Sequence, residues 1–159
     1  LPSRIILTSK LPTRTTAPFS TVITEEHAAE IATWVDKRAE TYSTANNPYE
    51  FKLLLRGSRD GFTKETFWKI CDKQANTIVV MKVKNTDEIL GGYNPIKWDK
   101  SIDNYVKCND SFIFSLKNGT IRKNILSCVK HPIWAIYCSS KHGPHFNDIC
   151  MLDNFNQDD

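Results

Sequence analysis

Five potential metal ligands, Cys128, His131, Cys138, His142 and His145, fall within one short, loop-rich span of the sequence. Zinc takes thiolate sulfur and neutral imidazole nitrogen, and a closed tetrahedral site needs four such groups, so the count suffices. The spacing does not follow a standard finger pattern, and a Cys138 lying on a strand would face the core instead. No cofactor or bound metal is therefore expected. The same region offers Cys128 with His131 and Cys150 with His145 as thiol–imidazole pairs. No GxSxG elbow accompanies them, and free cysteines are most often inert, buried side chains.

A second stretch, "RGSRDGFTKETFWKICD" from Arg56 to Asp72, sets a glycine-bracketed turn against a helix start. Backbone amides there, with Arg59 beside them, resemble an anion-binding loop. The GxxxxGK[ST] order is missing, and Asp60 would repel an anion at its side. A structural corner is the stronger reading: Gly57 and Gly61 can both take positive φ, and the Asp60 carboxylate can accept from nearby amides. Trp34, Trp68, Trp98 and Trp134 each sit in or beside an apolar pattern that a core would use, so packing is expected of them before base or sugar stacking.

The elements that would position these residues follow from periodicity. Thr24 caps a helix predicted over residues 24–40, with Glu25 and Glu26 at its positive end and Ala28, Ile31, Ala32 and Val35 at helical spacing. "STANNP", Ser43 to Pro48, ends it. "FKLLL", Phe51 to Leu55, reads as a short buried strand. Thr63 caps a second helix whose Phe67, Ile70 and Cys71 share a face. Thr77–Val83 and Glu88–Tyr93 form a hairpin through "KNTDE". The Gly91–Gly92 pair permits a bulge or close backbone approach, and Tyr93, Pro95 and Trp98 are expected to cover an exposed edge. "SFIFSL" alternates, with Phe112, Phe114 and Leu116 on one side and Ser111, Ile113 and Ser115 on the other. Strands are also expected at Pro132–Cys138 and Ile149–Leu152, separated by the polar loop "SSKHGPHFND". Helices set among antiparallel hairpins predict an α+β fold.

A 159-residue chain with 40% hydrophobic and 25% charged residues is sized for one core. Residues 1–23, with a strand candidate at Ile5–Leu7 and then a Pro/Thr-rich run, read as a linker from an upstream region, and residues 24–159 as the domain. A formal charge of +3 with scattered basic residues argues against nucleic acid as partner. No window approaches the roughly 20 apolar residues of a membrane helix, so no membrane insertion is expected. Five loosely spaced cysteines without a leader fit reduced thiols in the cytoplasm. The glycosylation tripeptides at Asn109 and Asn118 then read as turn residues.

Taken in order, "LLLRGSRDGFTKETFWKICD", "LGGYNPIKW", "DSFIFSLKNG" and "HGPHFNDICM" resemble a TLDc domain. The matching residues are Gly57, Asp60, Gly61, Phe67, Cys71 and Asp72 in the turn and helix. Gly91, Gly92, Tyr93 and Trp98 match in the double-glycine segment, and Phe112, Phe114, Ser115 and Leu116 in the Phe-rich strand. The resemblance implies two antiparallel sheets packed as a sandwich with flanking helices, and no catalytic residues. It implies a protein-interaction role linked to protection against oxidative stress and to regulation of the vacuolar proton ATPase, whose subunits are the expected partners. Such domains often follow BTB or kelch modules. Two departures stand out: Asn147 follows Phe146 where the family has glycine, and the chain stops at "NFNQDD", ahead of the family's last strands. Two alternatives stay open, a metal-stabilised domain built on Cys128 to His145 and a thiol-based peroxide scavenger.

Overall fold

The computed structural model describes residues 18–152; the strand expected at Ile5–Leu7 lies outside them. Helix α1, Glu25–Val35, begins at the expected Thr24 cap, whose hydroxyl accepts from the His27 amide. His27 completes the capping box. Its Nδ1 accepts from the Thr24 amide at 3.2 Å and its Nε2 donates to the Lys117 carbonyl at 2.8 Å, tying the helix start to the sheet below. The helix stops five residues earlier than its apolar period predicts. Lys37 turns left-handed with φ 53°, and Asp36 instead accepts from the hydroxyls of Tyr42 and Tyr49.

Two antiparallel sheets follow. The first joins β1 (Thr77–Lys82), β2 (Ile89–Asn94), β4 (Phe112–Leu116) and β5 (Ile125–Cys128) in the order β1-β2-β4-β5. The second joins β3 (Asn104–Val106), β6 (Ile136–Cys138), β7 (His145–Phe146) and β8 (Ile149–Cys150) in the order β3-β6-β7-β8. Alternation along β4 explains the layering. Phe112, Phe114 and Leu116 pack with Ile31 and Trp34 of α1, while Ile113 faces the other way, into a second core with Ile136, Cys138 and Phe146. The first sheet is thus covered on both faces, by α1 and by the second sheet. Helix α3, Lys64–Cys71, starts at Thr63 as expected and contributes Phe67, Trp68 and Cys71 to the core between the sheets. The α+β sandwich inferred from the sequence is the fold.

Several local expectations fail for identifiable reasons. Phe51–Leu55 is not a strand: Phe51 and Leu55 pack on the two cores, while Leu53 and Leu54 face solvent and the segment joins neither sheet. β2 is an interior strand, so Trp98 covers no edge. It is fully buried, donates Nε1–H to the Thr77 hydroxyl at 2.8 Å, and stands edge-on to Phe67 and Phe146. Pro132–Cys138 divides into a 3-10 turn, Pro132–Trp134, and β6, because proline suits the first position of a helical turn better than a ladder. The loop expected at 139–148 contains β7, and β3 and β5 were not foreseen. The last strand ends at Cys150 rather than Leu152. Asn118 behaves as the expected turn residue, donating to the Asp87 carbonyl at 2.8 Å.

Candidate interaction surface

The glycine-bracketed corner is the short helix α2, Gly57–Asp60. Only Gly61 takes positive φ, at 110°; Gly57 is helical, and its missing Cβ leaves room for the Phe62 ring. Asp60 accepts from the Arg56 amide at 2.8 Å and from Arg59 through both guanidinium contacts at 2.8 Å. The Arg59 contacts, then the Arg56 amide, pull its carboxyl down to about 2. Arg59 also donates to the Leu54 carbonyl. Arg59 and Asp60 thus engage each other within the turn, and the carboxylate there opposes an anion.

The other signature residues serve packing in the same way. Gly91 and Gly92 face opposite sides of β2. A Cβ on Gly91 would strike the Phe114 ring and the Val79 carbonyl, and one on Gly92 would come within 2.6 Å of the Phe146 ring. They permit close approach without a bulge, since the ladder to β1 and β4 runs through both in register. Tyr93 and the Phe112 ring lie 5.1 Å apart. Ser115 pairs with Leu90 and Ile125 across the ladder. Asp72 ends α3 and accepts from the Lys100 amide at 3.1 Å. Residues 18–146, spanning this whole arrangement, match the TLDc domain family. The chain belongs to that family. No curated protein and no solved structure matches it.

The cysteine and histidine set of this TLDc domain does not assemble. Cys128 lies exposed on β5 in the first sheet, His131 is exposed beside the 3-10 turn, and Cys138 is fully buried between the sheets. His142 and His145 are neighbours, with ring centroids 5.9 Å apart, near Tyr137 in the second sheet. Among the described residues no group of three His, Cys, Asp or Glu side chains could hold a metal ion. Burial, then the neighbouring His142, pushes the His145 pKa down. Its Nδ1 is buried and makes no hydrogen bond. Thiolate chemistry is opposed as well: burial pushes the Cys71 thiol up to about 11 and raises those of Cys138 and Cys150. All five cysteines are free of disulfides.

Large apolar side chains are exposed at several places, among them Tyr49, Leu53, Leu54, Phe62, Ile102 and Leu152, and four of them fall between residues 125 and 134. Ile125 and Leu126 of β5 are 57% and 39% exposed, and Ile133 and Trp134, in the turn that follows, 55% and 50%. Beside β5, where the two sheets part, lies a cleft of about 340 Å³ with Ile113, Ala135 and Phe146 in its lining. That volume is at the low end of ligand pockets, roughly 300–1,000 Å³. Lys130 and His131 line one side and Asn147 and Asp148 another. This surface is hard to read from the sequence, where residues 125–128 carry no strand expectation. The signal available was "ILSCV", a short apolar run bounded by Asn124 and Lys130. Among the described residues no helix is long and apolar enough to cross a membrane.

Proposed function

We propose that this TLDc domain is a non-enzymatic protein-interaction module, acting in the cytoplasm in protection against oxidative stress through regulation of the vacuolar proton ATPase. The observation that carries the interaction reading is that Ile125, Leu126, Ile133 and Trp134, all exposed, flank in sequence the residues 127–131 that line an open cleft. Aromatic and aliphatic anchors next to a recess are what a protein partner desolvates on binding. Consistent with a non-catalytic role, Asp60 and Arg59 of the corner are engaged with each other and with backbone. The buried thiols of Cys71 and Cys138 resist ionisation. The pump and stress assignments follow from family resemblance.

The test is affinity capture on the full chain, read with antibodies to proton-pump subunits and compared with a Trp134→Ala, Ile133→Ala variant of equal thermal stability. Capture by the wild type that the variant loses supports the reading. Equal capture by both refutes this surface, and no capture by either refutes the pump assignment.

A further inference from the structure

The first sheet ends in an edge unlike the others. Every residue of β5 is exposed, whereas β1, β3 and β8, the remaining edge strands, are each partly buried. Among the described residues the backbone of β5 bonds only to β4. Alternate residues of an antiparallel edge strand direct N–H and C=O outward, so among the described residues β5 presents a free ladder. Native edges are commonly blunted by proline, an inward charge or a bulge, and "ILSC" contains none of these.

We propose that β5 receives an extended, acidic segment of a partner protein as an added strand, with alternate apolar side chains of that segment entering the neighbouring cleft. The proposal rests on the interaction reading above and specifies the partner's chemistry. Register supplies the first argument. Ile125 and Ser127 pair with Ser115 and Ile113 and so share the face turned toward the second sheet, while Leu126 and Cys128 share the α1 face with Phe114 and Phe112. A strand laid against β5 repeats this alternation. Its side chains on the inter-sheet face lie over the cleft, against Ile113, Ala135 and Phe146. Main-chain hydrogen bonds would supply affinity and the cleft selectivity, as in other strand-addition complexes.

Charge supplies the second argument. Arg122 and Lys123 precede β5 and Lys130 and His131 follow it, and all four are exposed. Asp110 is paired with Lys37, and Asp148 in the cleft lining, where the Asn147 side-chain amide donates to it, is the one carboxylate of that lining, against the cations of Arg122, Lys123 and Lys130. A second copy fits this edge poorly. Antiparallel pairing of two β5 strands about Leu126 and Ser127 would set Lys123 of one copy opposite Lys130 of the other, at both ends of the pairing. Like charges directly opposite one another are destabilising. An acidic strand turns Arg122, Lys123 and Lys130 into attraction.

The experiment titrates the full chain with two blocked peptides of about nine residues, the length of a long strand. One alternates valine or phenylalanine with glutamate, and the other carries lysine in place of glutamate. Binding is read by fluorescence anisotropy, and the site by amide hydrogen exchange at residues 125–128. The expected result is that the acidic peptide binds roughly tenfold or more tightly than the basic one, slows exchange in β5 and weakens with salt. A Lys123→Glu, Lys130→Glu variant, both exposed positions, is expected to keep its melting temperature and reverse the preference.

Equal binding of both peptides, binding of neither, or protection away from β5 overturns the proposal. So does a concentration-dependent dimer protected at β5, which assigns the edge to a second copy. Stronger peptide binding after removal of residues 153–159 also overturns it, assigning the edge to the chain's own acidic end. If the peptides fail while the charge-reversed variant still captures pump subunits, this inference falls and the interaction reading stands. Loss of capture in the Trp134 variant alone, with peptide binding intact, separates the two surfaces and overturns β5 as the pump site.

Discussion

Replacing Gly92 by alanine tests the packing of the sandwich directly. An alanine in a strand interior ordinarily stabilises relative to glycine by about 0.5–1 kcal/mol, because glycine loses more backbone freedom on folding. At Gly92 the added Cβ would sit 2.6 Å from carbons of the Phe146 ring, against a comfortable carbon–carbon separation of about 3.5–4 Å. Phe146 is buried and stands edge-on to Trp98 with centroids 5.8 Å apart, so the ring cannot swing toward solvent. Overpacking of this kind costs about 1–3 kcal/mol. Subtracting the entropic gain from the middle of that range leaves a net loss of about 1–2 kcal/mol, or a melting temperature lowered by roughly 2–8 °C for a chain of this size. Phe146→Leu alone should also destabilise, by about 1–2 kcal/mol, as a large-to-small change. Combined with Gly92→Ala it removes the obstacle, so the double variant should lose at least about 1 kcal/mol less than the sum of the singles. Urea melts of the four proteins decide the matter. A Gly92→Ala protein more stable than wild type, or losses that add within about 0.5 kcal/mol, would refute contact between β2 and Phe146 as the reason for glycine there.

Gly61→Val should destabilise by about 1–3 kcal/mol in a thermal melt, because φ of 110° is closed to a β-branched residue; unchanged stability would contradict that backbone. His145 should make the fold acid-sensitive. Its folded pKa lies below the usual 6.5, so below that value the unfolded state binds more protons and stability falls as pH drops from about 6.5 toward the lowered folded value. His145→Phe should flatten that part of the stability profile, and an unchanged slope would assign the proton uptake elsewhere. Native-state alkylation should modify the exposed Cys128 and Cys150, the latter slowed by its raised pKa, and spare Cys71, Cys108 and Cys138 until the protein unfolds. Mass spectrometry of the labelled peptides reports the order, and early labelling of Cys138 would place it outside the core.

Elements with a strong local signal were legible in the sequence. Thr24 and Thr63 are helix caps whose hydroxyls accept from amides three residues on, and the strict alternation of "FIFSL" placed β4 and its buried face. Elements made by tertiary contact were not. β3 and β7 are three and two residues long, too short to show a period, and β7 lies among Gly143, Pro144 and Asn147, which read as loop. "FKLLL" has strand composition, yet no sheet edge receives it; the apolar run serves two separate cores with its ends instead. Trp98 shows the limit of reading aromatics. Its sequence context allowed an edge cover, and its position at the centre of a cluster with Phe67, Trp68 and Phe146 depends on β2 being interior, a fact of strand order that no local pattern contains.

The same distinction explains why the candidate chemistry dissolved and an edge took its place. Cys138 and His145 are close in sequence, but side chains on a strand alternate, and neighbouring strands keep the alternation in register. Cys138 shares the inner face with Ile136, whose partner is Phe146, while His145 pairs with Tyr137 on the outer face. Two ligands on opposite faces of one sheet cannot meet a common ion, whatever their spacing along the chain. Cys128 is removed further, onto the other sheet. The period that scatters these ligands also gathers Ile113 and Phe146 between the sheets beside β5. A recess lined from both sheets therefore opens next to β5, which among the described residues is the one edge strand exposed along its whole length. Had β5 carried a proline or an inward lysine, that recess would be only a packing gap; with a free ladder beside it and basic residues at both ends, it has the parts that a strand-shaped acidic partner requires.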